Sequence, residues 1–249
     1  MEILENWNKK QEVFFDNLTQ EYGSFDFARE SFDAKKQGEK FINYFDLTAA
    51  SSIIEFGCGR GEWVIKLANK GYNVWGIDLS VKSLEVLRSD LKNLNLDDRV
   101  HLIRGDVQGD MGAILGGKRF STVFCCNLLH HVLDREKVVA NMVEVAAPRG
   151  KVIAYEPNPF HLWWYICSLF DKKFKWSVEK GLLKTSPLSI KKIFEKQGLE
   201  RVEIVPWDYF PFIAAEKTFH LADYLHNVFS KMPLLKYLPA VYVIKGYKK

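Results

Sequence analysis

The sequence predicts an α/β protein built on a mostly parallel sheet of seven strands with helices on both faces. Short runs rich in Val, Ile and Phe alternate with longer segments of helical period, the pattern of strand–helix–strand crossovers. One of those runs, Ile53 to Phe56, leads into a turn with glycines at 57, 59 and 61 and then directly into a helical pattern. With 249 residues and 47% hydrophobic content, the chain is long and apolar enough to bury one sizeable core.

The elements follow in order. The first fifteen residues, MEILENWNKKQEVFF, carry no apolar segment of signal-peptide type. A helix is expected over 33–46, a strand at 51–56 and, after the glycine turn, a helix at 61–70. The next strand, 73–78, ends on Asp78, and Ser80 is placed to cap the helix over 80–93. Strands at 100–105 and 120–126, a helix at 134–146 and a strand at 151–156 continue the alternation. Beyond residue 185 come a helix at 186–197, a strand at 199–206, a helix at 212–231 and a last strand at 240–247. No repeat or low-complexity segment interrupts the order.

Glycines at every second position leave no Cβ between the backbone and a ligand. Asp78 lies about twenty residues downstream at the end of the next strand, so loop and carboxylate form a nucleoside-binding pair. A dinucleotide fingerprint needs G-x-G-x-x-G and seats a pyrophosphate on the helix N-terminus. Here the spacing is G-x-G-x-G, and Glu62 stands where the last fingerprint glycine would fall. Glu55 and Glu62 would repel a pyrophosphate in a poorly hydrated site, but would tolerate a ligand with positive charge. Glu62 and the absence of a second mononucleotide half argue against an NAD-dependent oxidoreductase. S-adenosylmethionine carries a ribose, an adenine, a sulfonium and an ammonium, with no phosphate, and fits.

Five segments in order carry a resemblance: Glu55-Phe56-Gly57-Cys58-Gly59-Arg60-Gly61, Gly76-Ile77-Asp78, Arg104-Gly105-Asp106-Val107, Asn127-Leu128-Leu129-His130-His131 and Pro148-Arg149-Gly150. On these the chain resembles the class I S-adenosylmethionine-dependent methyltransferases of small-molecule type, well over residues 40–157 and loosely elsewhere. The resemblance implies a Rossmann-like fold whose last strand inserts antiparallel beside the fifth. It divides one domain into a lid segment (1–32), a cofactor-binding core (33–157), a substrate-side insertion (157–185) and a C-terminal part of the same sheet (186–249). It implies that the methionine portion of the cofactor crosses Gly57, Cys58, Gly59 and Gly61, with Glu55 at its ammonium end. Asp78, beside Leu79, would take both ribose hydroxyls through charge-assisted bonds. Asp106 would accept from the adenine amino group while the Val107 N–H meets the ring. Asn127 would lie against the methionine portion and Leu128 by the adenosine.

Methyl transfer needs alignment, a dry site and a base to receive one proton. By position the candidates are His130 and His131 after the fourth strand and Glu156 at the end of the fifth, with His161 and Tyr22 further off. A histidine is apt because it titrates near neutrality. Phe160, Trp163, Trp164, Tyr165, Phe170, Phe174 and Trp176 crowd beside Lys172, Lys173 and Lys175, and Phe229 to Tyr237 repeats the apolar–basic mixture. Such elements suit a lipid interface or a hydrophobic acceptor, and equally a capped core or a dimer interface. The expected partner is a small-molecule acceptor, lipid-like, quinone-like or aromatic, with peripheral membrane contact as a further expectation. Residues 151–249 carry 16 Lys and Arg against 9 Asp and Glu, a basic half that favours an anionic partner or membrane surface unless these lysines only solvate helices. Methylation of nucleic-acid bases is argued against. The Asn-Pro-Pro-Tyr type of motif is replaced by Asn127-Leu128-Leu129-His130, and Asn158-Pro159-Phe160 follows the wrong strand. A scaffold that keeps the fold without catalysis is the competing class, and it has no need of Gly57, Gly59, Gly61, Asp78 and Asp106.

Cysteines 58, 125, 126 and 167 match neither a metal-site spacing nor a disulfide framework, so no metal is expected and they read as reduced thiols of a cytoplasmic protein. No run approaches the roughly eighteen apolar residues of a spanning helix.

Overall fold

A computed structural model describes residues 2–23, 32–170, 176–209 and 216–249. Seven strands form one sheet: β1 (Ile53–Phe56), β2 (Val74–Asp78), β3 (Val100–Arg104), β4 (Phe120–Cys126), β5 (Ala146–Pro157), β6 (Glu200–Asp208) and β7 (Val241–Tyr247). Their order is β3-β2-β1-β4-β5-β7-β6. Strands β1 to β5 run parallel, and β7 inserts antiparallel to both β5 and β6. The expected sheet, including its antiparallel last strand beside the fifth, is the observed one. Strand order reverses between β1 and β4, so the crevice at their C-terminal ends is where a ligand binds in sheets of this kind.

The helices are α1 (Glu2–Tyr22), α2 (Phe32–Tyr44), α3 (Glu62–Asn69), α4 (Val81–Asn93), α5 (Met111–Leu115), α6 (Arg135–Val145), α7 (Trp163–Phe170), α8 (Trp176–Glu179), α9 (Pro187–Lys196) and α10 (Glu216–Phe229). Helices cover both faces, so β1 is buried at all four positions and β4 at six of seven, and both read as continuous apolar runs. One core centres on Phe41, whose ring meets Phe45 at 4.7 Å, Trp63 at 4.8 Å and Trp207 at 5.6 Å. The other packs Phe56, Met111, Val138, Met142 and Phe194 beneath the opposite face. Full burial of each such side chain contributes about 1.5–3 kcal/mol.

Capping residues set the helix starts. Ser80, Asp110, Asp134 and Ser186 each accept the N–H three residues on, a device worth about 1 kcal/mol apiece. Helix α9 also begins on Pro187, whose fixed φ suits a first turn.

Some boundaries differ from expectation. Helix α6 stops at Val145 and β5 begins at Ala146, five residues before the expected strand. Pro148 cannot extend a helix, and Arg149 and Gly150 instead pair with Lys248, which carries the strand back past a register shift opposite β4. Helix α1 occupies 21 residues for which only a lid segment was expected. Phe174, Lys172, Lys173 and Lys175, residues 24–31 of the expected lid and residues 212–215 of an expected helix lie outside the described residues. The four cysteines are free. No helix among the described residues is long and apolar enough to cross a membrane.

Candidate active site

The turn after β1 is stitched to β2: Gly57 N–H and Cys58 N–H both donate to the Ile77 carbonyl, at 2.8 and 3.1 Å. Gly61 caps α3 in the left-handed region at φ 84°, and a Cβ there would strike Leu87 of α4. Gly59 differs. It is also left-handed at φ 49°, but a Cβ on it would meet nothing within 4 Å. That open space belongs to a cavity of about 330 Å³ at the C-terminal ends of β1 to β4. All eleven residues nominated for cofactor contact, from Glu55 to Leu128, line it.

The cavity is acidic. Asp78 accepts the Gly59 N–H at 2.7 Å on one oxygen and the Ser80 N–H at 2.8 Å on the other. Burial raises its pKa, and those two N–H groups partly restore the charged form. Ser80 rather than Asp78 caps α4, accepting from Ser83 N–H at 3.0 Å, which leaves the remaining lone pairs of Asp78 for a ligand. Glu55 is buried, and its Oε2 has no partner. Its pKa lies well above the usual carboxylate range, first because of burial and then because Glu62 and Asp78 repel its charge. A cationic ligand would relieve that cluster and a pyrophosphate would aggravate it. The acidic wall, the open Gly59 and the unpartnered Glu55 oxygen therefore fit a nucleoside with a cationic tail. Cys58 and Cys126 also reach the wall, and burial keeps both thiols protonated. Asp106 accepts from Gln108 N–H at 2.9 Å and from Asn8 Nδ2 at 2.6 Å.

The loop after β4 divides the candidate bases. Asn127 opens it in the left-handed region at φ 52°, a conformation that asparagine tolerates better than most residues. Glu156 accepts the Leu128 and Leu129 N–H groups at 2.8 and 2.7 Å and meets His130 Nδ1 at 2.7 Å. His130 Nε2 faces Glu179 at 3.3 Å. Burial opposes a charge on His130, yet the two carboxylates outweigh it and raise its pKa to about 9. His130 and Glu156 are thus fully engaged with each other beneath the loop and do not line the cavity. Neither residue is therefore placed on the wall where the expectation set it. His131 does line the cavity, and its Nδ1 has no partner. Burial, then the neighbouring His130 charge, holds its pKa well below the ordinary value, so it is neutral at pH 7. His130, His131 and Glu179 also place three ligand-type atoms within 4.8 Å of one another, the one such group among the described residues. The second carboxylate on His130 accounts for that arrangement as an ion-pair chain. Of the remaining candidates, Tyr22 is exposed and His161 lies beside Tyr209, and neither lines the cavity.

The fourth wall was not foreseen residue by residue. Helix α1 lies over the cavity and contributes Asn8, Gln11, Glu12, Phe15, Leu18 and Thr19. Its margins are tied down: Trp7 Nε1 donates to the His131 carbonyl at 2.7 Å, Ser80 Oγ donates to Asp16 at 2.5 Å, and Thr19 and Ser83 share a hydroxyl bond at 2.9 Å. Phe15 meets the His131 ring edge-on at 5.0 Å. The 8, 11/12, 15, 18/19 spacing was the available signal, but it is a mixed polar stripe and not an apolar one.

Past β5, the aromatic insertion splits. Trp164 turns inward and donates to the Ala240 carbonyl at 2.7 Å. Leu162, just before α7, and Ile166 and Leu169 within it are exposed apolar residues, and Leu221, Tyr224 and Val228 form an exposed apolar line along α10. Both segments attach to the turn before β7: Asn158 donates to the Tyr237 carbonyl at 2.9 Å, and Tyr209 packs on Phe229 and donates to the Leu235 carbonyl.

The methyltransferase domain family matches residues 53–150. A demethylmenaquinone methyltransferase of Bacillus cytotoxicus is 28% identical over 188 residues, covering 68% of this chain and 78% of that one. A SAM-dependent methyltransferase of Archaeoglobus fulgidus has a similar structure, with a TM-score of 0.59 at 18% identity over 86% of this chain and 92% of that one. So does phosphoethanolamine N-methyltransferase 2 of Haemonchus contortus in complex with S-adenosyl-L-methionine, with a TM-score of 0.59 at 18% identity. That match covers 86% of this chain and 52% of the other, so the chain spans about half its length.

Proposed function

We propose that this chain, as a class I S-adenosylmethionine-dependent methyltransferase, methylates a small apolar acceptor, lipid-like, quinone-like or aromatic. S-adenosylmethionine supplies an electrophilic methyl group on a positive sulfur. Gly57, Cys58, Gly59 and Gly61 pass its methionine portion, with Asn127 alongside and Glu55 at the ammonium end. Asp78, beside Leu79, holds the ribose, and Asp106 and Val107 hold the adenine, against which Leu128 packs. The chain's own groups have three tasks. The acidic wall attracts and orients the cation, and α1 acts as a lid that excludes water, which would screen and solvate the reacting charges. His131, neutral and the one nominated base on the cavity wall, is the group placed to receive the acceptor's proton.

The observation that supports the acceptor class is the pair of exposed apolar lines, one at α7 past the end of β5 and one along α10. A soluble chain rarely leaves two helical stripes unburied without a use for them. The basic C-terminal half adds affinity for an anionic lipid surface, where apolar acceptors concentrate. The named activity of the Bacillus relative, on a demethylated menaquinone, is in keeping with that class. The test is transfer of radiolabelled methyl from S-adenosylmethionine to a panel of quinols, phenols, fatty acids and polar amines, with and without anionic vesicles. Turnover confined to the apolar members, raised by vesicles, is the expected result. Turnover confined to the amines would overturn the acceptor class while leaving the methyltransferase intact.

A further inference from the structure

We infer that Gln11 of α1 is a cofactor-binding residue that makes closure of the lid depend on the nucleoside. The inference rests on the functional reading above and deepens it. Gln11 is only 6% exposed and lines the cavity. Neither Nε2 nor Oε1 of its amide has a partner, and both atoms are shielded from solvent. A buried amide left unbonded is destabilising, because it has lost its water without gaining a partner. Other polar side chains of this helix near it are engaged: Asn8 with Asp106 and Gln108, Asp16 with Ser80, Thr19 with Ser83. Those bonds hold the margins of the helix against β3 and α4, and Phe15 holds the other side against His131. Gln11 is left on the cavity wall with one donor group and one acceptor unspent.

The chemistry of that remainder selects its partner. An ammonium would use only the carbonyl oxygen, and a carboxylate only the amide N–H groups. A ribose hydroxyl or a purine edge offers donor and acceptor together and satisfies both atoms. The positions of Asn8 beside Asp106 and of Asp16 beside the turn after Asp78 place Gln11 between the two carboxylates assigned to adenine and ribose. The nucleoside thus completes the lid's central hydrogen bonds, and the lid closes fully only over a filled site.

Gln11→Met removes the amide at similar volume, and its two effects should have opposite signs. The ligand-free protein should melt at the same temperature or higher, because an unpaired buried amide is gone. Affinity for S-adenosylhomocysteine, measured by calorimetry, should fall about 5–20-fold, the loss of one or two neutral hydrogen bonds. Adenosine should lose affinity by a similar factor. A lower melting temperature with unchanged affinity would make Gln11 a structural residue and overturn the inference. Unchanged adenosine affinity with weakened S-adenosylhomocysteine would overturn the nucleoside assignment. Absence of S-adenosylhomocysteine binding by the wild type would instead sink the cofactor reading itself, and the melting comparison would distinguish the two failures.

Discussion

On the sheet side of the cavity Asp78 and Asp106, which shape the wall, already hold backbone N–H groups. On the helix side, the central side chain holds nothing. Asp78 binds Gly59 and Ser80, Asp106 binds Gln108, and Glu156 binds Leu128 and Leu129 from below. That wall keeps its form whether or not a ligand is present, so little ordering cost falls on binding. Helix α1 rests on a few side-chain bonds at its margins and has Gln11 unspent at its centre. A segment held in this way opens at a lower free energy than the sheet beneath it. The preformed wall therefore decides which chemistry is recognised, and the detachable wall decides when the site is shut.

The largest effect is expected where the sheet-side wall is propped. His130→Ala leaves Glu156 buried without its cationic partner, which should cost about 3–5 kcal/mol of stability. The same pair gives a pH dependence. The folded pKa of His130, about 9, lies above its ordinary value of 6.5, so its contribution is complete below pH 6.5 and is lost as pH rises through about 9. Denaturant titrations of the wild type should show stability falling across that window, and His130→Ala should flatten the fall. A parallel decline in both proteins would show that the prop lies elsewhere.

Next comes Asp78, which serves both the wall and the ligand. Asp78→Ala should weaken S-adenosylhomocysteine by about 1.5–3 kcal/mol, roughly 10–150-fold in Kd, the worth of charge-assisted bonds to the ribose. Asp78→Asn keeps one acceptor oxygen and should lose less. Equal affinity in a folded Asp78→Ala protein would remove this residue from the site and leave the wall with only a structural task for it.

The two walls also differed in how far the sequence exposed them. In a parallel sheet every ligand-facing turn follows the C-terminal end of a strand, so Glu55, Asp78, Asp106 and Asn127 could be placed by finding where apolar runs stop. The structure sets all four on one cavity. The bases were less legible. His130 and His131 are neighbours in sequence, and only the Glu156 and Glu179 contacts decide which one turns inward. The lid was legible as a segment and illegible as residues. Trp7 and Thr19 reach partners 124 and 64 positions away, and α1 faces the cavity with Asn, Gln, Phe and Thr. Hydrophobic period, the main sequence signal for a packed helix, is nearly silent on such a face.

The smallest effect sharpens the contrast most. Asn8→Ala removes one bond to Asp106 and one from Gln108 at the margin of the lid, with an expected cost of about 1 kcal/mol. In hydrogen exchange, the α1 amides of this variant should exchange several-fold faster while those of β1 and β4 stay unchanged. Adding S-adenosylhomocysteine at about a hundred times its Kd provides roughly 2.7 kcal/mol, more than the lost anchor, and should restore the protection of α1. Gln11→Met should behave in the opposite way, with normal protection in the free protein and little further gain on binding. An anchor and a ligand contact on the same helix are thereby separated. If both variants respond alike, the lid is held by its margins alone and the unspent amide has no part in closing it.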